Sequence, residues 1–116
     1  MYTIPFQTTD WNTQPEEIHP GETGQASWRT IHYGDLRIRL VHYSENYLAD
    51  HWCKLGHILF CIEGDMTTEV AGNPNVTLGP GMSYQVSDDL SSHRTSSRNG
   101  AKLFVVDGGF LKGPTK

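Results

Sequence analysis

Apolar and polar residues alternate along this chain in short runs, and small clusters of glycine and proline separate the runs. The clusters are Pro20-Gly21, Gly24, Gly34-Asp35, Gly64-Asp65, Gly72-Asn73-Pro74, Gly79-Pro80-Gly81, Gly100 and Gly108-Gly109. Each is a turn signal, and the runs between them have the length of strands rather than helices. Residues 36–43 begin with the period-two alternation of a half-buried strand. Residues 58–62, Ile-Leu-Phe-Cys-Ile, are apolar on both faces, as expected of a central strand. Further strands are predicted over 66–70, 76–78, 82–86 and 102–106. A helical turn is expected only over 13–17, and residues 87–99, rich in Ser, Asp and Arg, are expected to form a loop. Many short strands joined by glycine turns predict an all-β sandwich or closed barrel.

Composition narrows the picture without changing it. The 116 residues fit one domain, with 36% hydrophobic and 19% charged residues. No apolar run approaches the ~20 residues of a membrane helix, and the first residues lack the basic and apolar regions of a secretory signal. A cytoplasmic location and no membrane partner are therefore expected. The net charge of -4, with only 9 Lys and Arg, argues against a nucleic-acid partner. Two cysteines, Cys53 and Cys61, are too few for a disulfide scaffold and are read as free thiols.

The candidate chemistry lies in Asp50-His51-Trp52-Cys53-Lys54-Leu55-Gly56-His57. If this segment is a strand, His51 and Cys53 share a face, with Cα atoms roughly 6.5 Å apart. Imidazole and thiolate there can meet on one metal ion. His57 would stand about 20 Å from His51 on a fully extended strand, so it joins only if the chain turns, which Gly56 permits. His93 is a fourth candidate. Cys61 is expected to be a buried core thiol on the face of His57 and Leu59. A nucleophilic triad of Asp50, His51 and Cys53 is the competing reading. It is disfavoured because strand alternation would turn Asp50 away from its two neighbours. Arg37 and Arg39 share a face of their strand. They are read as a solvated pair, the alternative being that both point inward at an anionic substrate. His19 and His42 are expected at the surface, and Trp52 is expected to pack against a loop or a neighbouring chain.

The motif His51-x-Cys53-x3-His57-x6-Gly64 resembles the first metal motif of the cupins, small β-barrels, with Cys53 at a usual His and His57 at the usual Glu. A stretched second motif, from Val76 to Gly81 and on through Tyr84, would place His93 at its metal-binding His. Asp50-His51-Trp52-Cys53 further resembles the subgroup named for an Asp-His-Cys-Trp signature, and similar stretches run from about Phe6 to Asp107. The resemblance implies an all-β, single-domain cupin, a jelly-roll-like barrel over residues 26–116. Residues 1–25 would be an arm packed on the barrel or on a partner in a homodimer. It also implies a transition metal held by His51, Cys53, His57 and His93. A thiolate with imidazoles favours Zn, with Ni, Fe or Cu as alternatives. The function expected is binding of a transition metal inside the barrel, and a metal-dependent enzyme acting on a small polar metabolite is one reading of it. The alternative is a non-catalytic cupin that binds a small molecule, or whose metal is structural. Three protein ligands would favour the enzyme and four the structural site.

Overall fold

The computed structural model describes residues 3–113. Eight strands form one antiparallel sheet: β1 (Glu17–Pro20), β2 (Gln25–Tyr33), β3 (Leu36–Leu48), β4 (His57–Gly64), β5 (Met66–Val70), β6 (Val76–Leu78), β7 (Ser83–Val86) and β8 (His93–Asp107). The order is β1-β2-β3-β8-β4-β7, and β5 pairs with both β8 and β6. β8 is long enough to serve two neighbours in succession. Its first half pairs with β5 through Val70↔His93 to Thr67↔Ser96, and its second half with β4 through Ile58↔Val106 to Gly64↔Ala101. The all-β expectation holds, but the closed barrel does not. Among the described residues the terminal strands β1, β6 and β7 do not pair with one another, so the sheet remains open.

Local rules account for the strands that the sequence predicts. Gly34-Asp35 forms the two-residue turn of the β2–β3 hairpin, with Gly34 at φ 60° and Tyr33 paired with Leu36. In β4, Leu59 and Cys61 turn inward, joining Val41, Met66, Leu78, Ala101, Leu103 and Val105 in the core. Ile58, Phe60 and Ile62 turn outward and stay partly exposed. Both faces of this strand are apolar, as its sequence says, but only one is covered. Beside the outer face, Trp11 meets the Phe104 ring edge-on at 6.0 Å.

Three expectations need correction. The helical turn forms at Trp11–Thr13, a single 3-10 turn capped by the Asp10 carboxylate on the Asn12 amide, and Glu17 already opens β1. β1 and β2 are strands that the turn pattern alone did not delineate. The loop over 87–99 ends at residue 92, because His93 begins β8. Its inward residues, His93, Thr95 and Ser97, are polar yet buried, so no apolar alternation announces the strand. Their hydrogen bonds are met inside: Thr95 Oγ1 reaches Thr68 Oγ1 at 3.4 Å, and the Ser97 hydroxyl donates to the Asp65 carbonyl at 2.6 Å.

Candidate metal centre

The segment 49–56 is a connector between β3 and β4, not a strand. One two-way backbone bridge anchors it. The Cys53 amide donates to the His93 carbonyl at 2.8 Å, and the His93 amide donates to the Cys53 carbonyl at 2.9 Å. This bridge sets Cys53 opposite the first residue of β8. Three residues later Gly56 lies against the end of β7. A Cβ there would meet the Val86 carbonyl oxygen at 2.3 Å, and the Gly56 amide donates to Asp88. Close backbone approach, rather than a special φ, is therefore what demands glycine. It brings His57 into β4 beside the bridge.

Cys53, His57 and His93 converge: one donor atom from each lies within 4.8 Å of the others. His57 Nδ1 is taken by Asp107 Oδ2 at 2.8 Å, and His93 Nδ1 by the Ser91 hydroxyl at 3.2 Å, which leaves the Nε2 of each ring for the trio. The Leu55 amide donates to Cys53 Sγ at 3.4 Å. Hydrogen bonding from His57, then His93, holds the Cys53 thiol down at about 5, against the opposing pull of burial. Burial works against a charged His57, yet its bonds to Asp107 and Cys53 raise its pKa. Asp107 is buried, which alone would push its carboxyl up. Hydrogen bonds from His57 and Arg37, with the Arg39 charge close by, hold it well below the usual range.

His51, the remaining ligand candidate, stands apart from this trio. Its ring is largely exposed and its Nδ1 pairs with Asp50 Oδ1 at 2.6 Å, although it lines the same cavity. The assumption that Asp50 would face away from His51 fails, because alternation governs strands and this segment is a connector. Among the described residues no hydrogen bond joins the Asp50–His51 pair to Cys53, so it builds no triad with the thiol. The carboxylate aligned behind the thiol is Asp107, acting through His57. It was missed as a site residue. The available signal was an acid ending the apolar run of 103–106, where a buried carboxylate needs partners.

Arg37 and Arg39 also differ from expectation. They line the cavity and grip Asp107, and Arg39 is 5% exposed, so they are no solvated pair. Cys61 is fully buried in the core on the inward face of β4, with Leu59, as expected. Trp52 is partly exposed, with the Arg94 guanidinium 5.3 Å from its ring centre. His42 is exposed, while the His19 ring stacks on Trp28 at 3.8 Å.

The donor set fits a transition metal of borderline softness. It offers two imidazoles and a thiol already poised as thiolate, with an ordered partner behind each ring. Bonds of about 2.0–2.3 Å require only a small closing of the three side chains.

No protein-family model matches the sequence, and no curated protein matches it. Solved structures do match. A protein of Neisseria meningitidis is 27% identical over 71% of this chain and 82% of its own, with a TM-score of 0.57. An RmlC-like cupin from Shewanella frigidimarina is 14% identical over 90% of this chain and 91% of its own, with a TM-score of 0.72. Ectoine synthase from P. lautus is 18% identical over 89% of this chain and 78% of its own, with a TM-score of 0.71. With two strong structural likenesses across almost the whole chain, one of them to a named cupin, this protein has the cupin fold.

Proposed function

We propose that this cupin-fold protein binds one divalent transition metal, Zn before Ni, Fe or Cu, through Cys53, His57 and His93, and is an enzyme acting on a small polar metabolite. The observation that carries the reading is the convergence of a thiol and two imidazoles on one point, with Asp107 seated behind His57. A carboxylate behind a ligating imidazole fixes its tautomer and raises its basicity, a common arrangement at metal sites. Three ligands leave a tetrahedral ion one position for a water or a substrate, which favours catalysis over a closed structural site. Bound there, the metal supplies a Lewis acid able to polarise a carbonyl or lower the pKa of a water toward about 7. The chain's own residues do the remaining work. Asp107 holds His57 in one orientation, Ser91 steadies His93, and Val41, Leu59 and Val105 give the cavity an apolar floor. The Asp50-His51-Trp52-Cys53 segment supports a place in the subgroup of that signature.

Elemental analysis of protein purified without chelators tests the reading. About one metal per chain and a rise in melting temperature on adding Zn are expected, since a ligand bound only by the folded state stabilises it. Protein without metal that does not shift with Zn or Ni removes the proposal. Loss of metal from His51→Ala would show a fourth ligand and transfer support to the structural alternative. A homodimer, which the resemblance implies, and a cytoplasmic location, which the first residues suggest, belong to the same proposal. The apolar outer face of Ile58, Phe60 and Ile62 supports pairing, and a strictly monomeric mass in solution would remove it.

A further inference from the structure

The cavity that holds the metal trio is small, about 230 Å³. Among the described residues its wall carries three arginines, Arg37 and Arg39 from β3 and Arg94 from β8, and no Asp or Glu. Arg94 is already answered, its Nε bonded to Glu69 at 3.0 Å. Arg37 and Arg39 have one carboxylate between them. Arg37 donates from Nε and Nη2 to the two oxygens of Asp107 at 2.8 and 3.1 Å, while Arg39 donates only Nη2, to Oδ2 at 2.8 Å. The same Oδ2 also holds His57. One carboxylate thus serves two guanidiniums and an imidazole.

Arg39 is the group left short. Only 5% of the residue is exposed, and its buried Nε has no hydrogen-bond partner among the described residues. A guanidinium carries five N–H donors, and leaving one unmet in the interior costs more than exposing it to water. The group is also held still, with its carbon 4.3 Å from the centre of the Trp28 ring. Its position relative to the metal trio follows from the shared oxygen. Arg39 Nη2 and His57 Nδ1 are each 2.8 Å from Asp107 Oδ2, so they lie no more than 5.6 Å apart. Among the described residues the acidic groups on this wall are Cys53, engaged with the two imidazoles, and Tyr43, Tyr47 and Tyr84, whose hydroxyls burial keeps protonated.

We propose that the cavity takes a small carboxylic acid as its anion, with the carboxylate received by Arg39 beside Arg37 and the rest of the molecule directed toward Cys53, His57 and His93. The part concerning the trio rests on the metal reading above; the part concerning Arg39 does not. Planar guanidinium groups match carboxylates in geometry and charge, and a pre-positioned one binds them with little loss of freedom. The cavity volume, below that of sites for drug-sized ligands, suits an acid of a few carbon atoms.

The test compares acetate, lactate and pyruvate with acetamide, lactamide and pyruvamide, which keep the shape and remove the charge. Calorimetry is run on the full chain, Zn-loaded and metal-free, with metal content measured separately. At least one acid should bind, and its amide should bind at least about tenfold more weakly, the loss expected for a charged hydrogen bond. Arg39→Gln should weaken that acid by a similar factor while metal content stays at the wild-type level, and Arg39→Lys should restore part of it. Amides that bind as well as acids, none of the three acids binding, or Arg39→Gln binding the acid like wild type would each overturn the proposal. The acid–amide contrast is read on the wild type, so it stands even if Arg39→Gln fails to fold. Absence of metal would defeat the metal reading and leave the contrast measurable on the metal-free chain.

Discussion

Cys53 and Cys61 lie eight positions apart in one stretch of chain, yet the two thiols belong to different chemistries. Cys53 sits on a connector, bridged by backbone to His93 and faced by two imidazoles, and its thiol is held down at about 5. Cys61 sits on β4 in the core, with its thiol donating only long contacts to the Glu63 and Gly64 carbonyls. Burial pushes its pKa up. The contrast is one of neighbours. Donors able to stabilise sulfur's negative charge surround the first, and hydrocarbon surrounds the second.

Exchanging each sulfur for oxygen and counting metal separates the two thiols most sharply. Cys53→Ser should lose essentially all bound Zn by elemental analysis. The loss should exceed the about 10–100-fold in affinity that follows removal of a partner behind a ligand. Cys61→Ser should keep its Zn. The reverse result would mean that the metal is held elsewhere.

Alkylation of metal-stripped protein with iodoacetamide reads the same difference directly. Cys53 should react with a midpoint near pH 5, and Cys61 should stay protected until the chain unfolds. At pH 7 the rates should differ by more than about 100-fold, followed by mass spectrometry of peptides. Because the folded state lowers the Cys53 pKa, its contribution to stability is present above the usual thiol range and fades as pH falls through about 5. Equal rates at the two thiols would end the comparison.

Asp107 connects the reactive thiol to the rest of the molecule, and Asp107→Asn should reveal how much. It leaves Arg39 buried without its counter-charge, for a cost of about 3–5 kcal/mol in urea denaturation. Zn affinity should fall by about 10–100-fold through the loosened His57. The wild-type carboxyl titrates lower in the folded state, so its stabilisation is present above about pH 4 and is lost as pH falls further. The variant should lack that acid dependence. A small loss of stability with unchanged metal affinity would show that Asp107 does not support the site.

The smallest effect belongs to the core side. Cys61→Ser places a hydroxyl among Leu59, Met66 and Leu103, where the Glu63 and Gly64 carbonyls offer only long contacts. It should cost about 1–3 kcal/mol by thermal or urea unfolding, without touching the metal. A neutral result would mean that the hydroxyl finds a good partner by a small shift.

The all-β class, the turn at Gly34-Asp35, the inward Leu59 and Cys61, and His51, Cys53, His57 and His93 as candidate ligands were legible in the sequence. Those features depend on period-two alternation, on turn chemistry and on residue types within short spans, which a linear reading can weigh; His93 alone came from the more distant second motif of the resemblance. Tertiary structure decided the rest. It placed His93 in a strand whose polar inward residues hide its pattern, set Cys53 on a connector rather than a strand, and left His51 outside the trio. It also turned Arg37 and Arg39 inward onto Asp107, across 70 and 68 positions of sequence. Charge pairing across such separations has no local signature, because the cost of burying a guanidinium is met only by a partner that the folded sheet brings beside it.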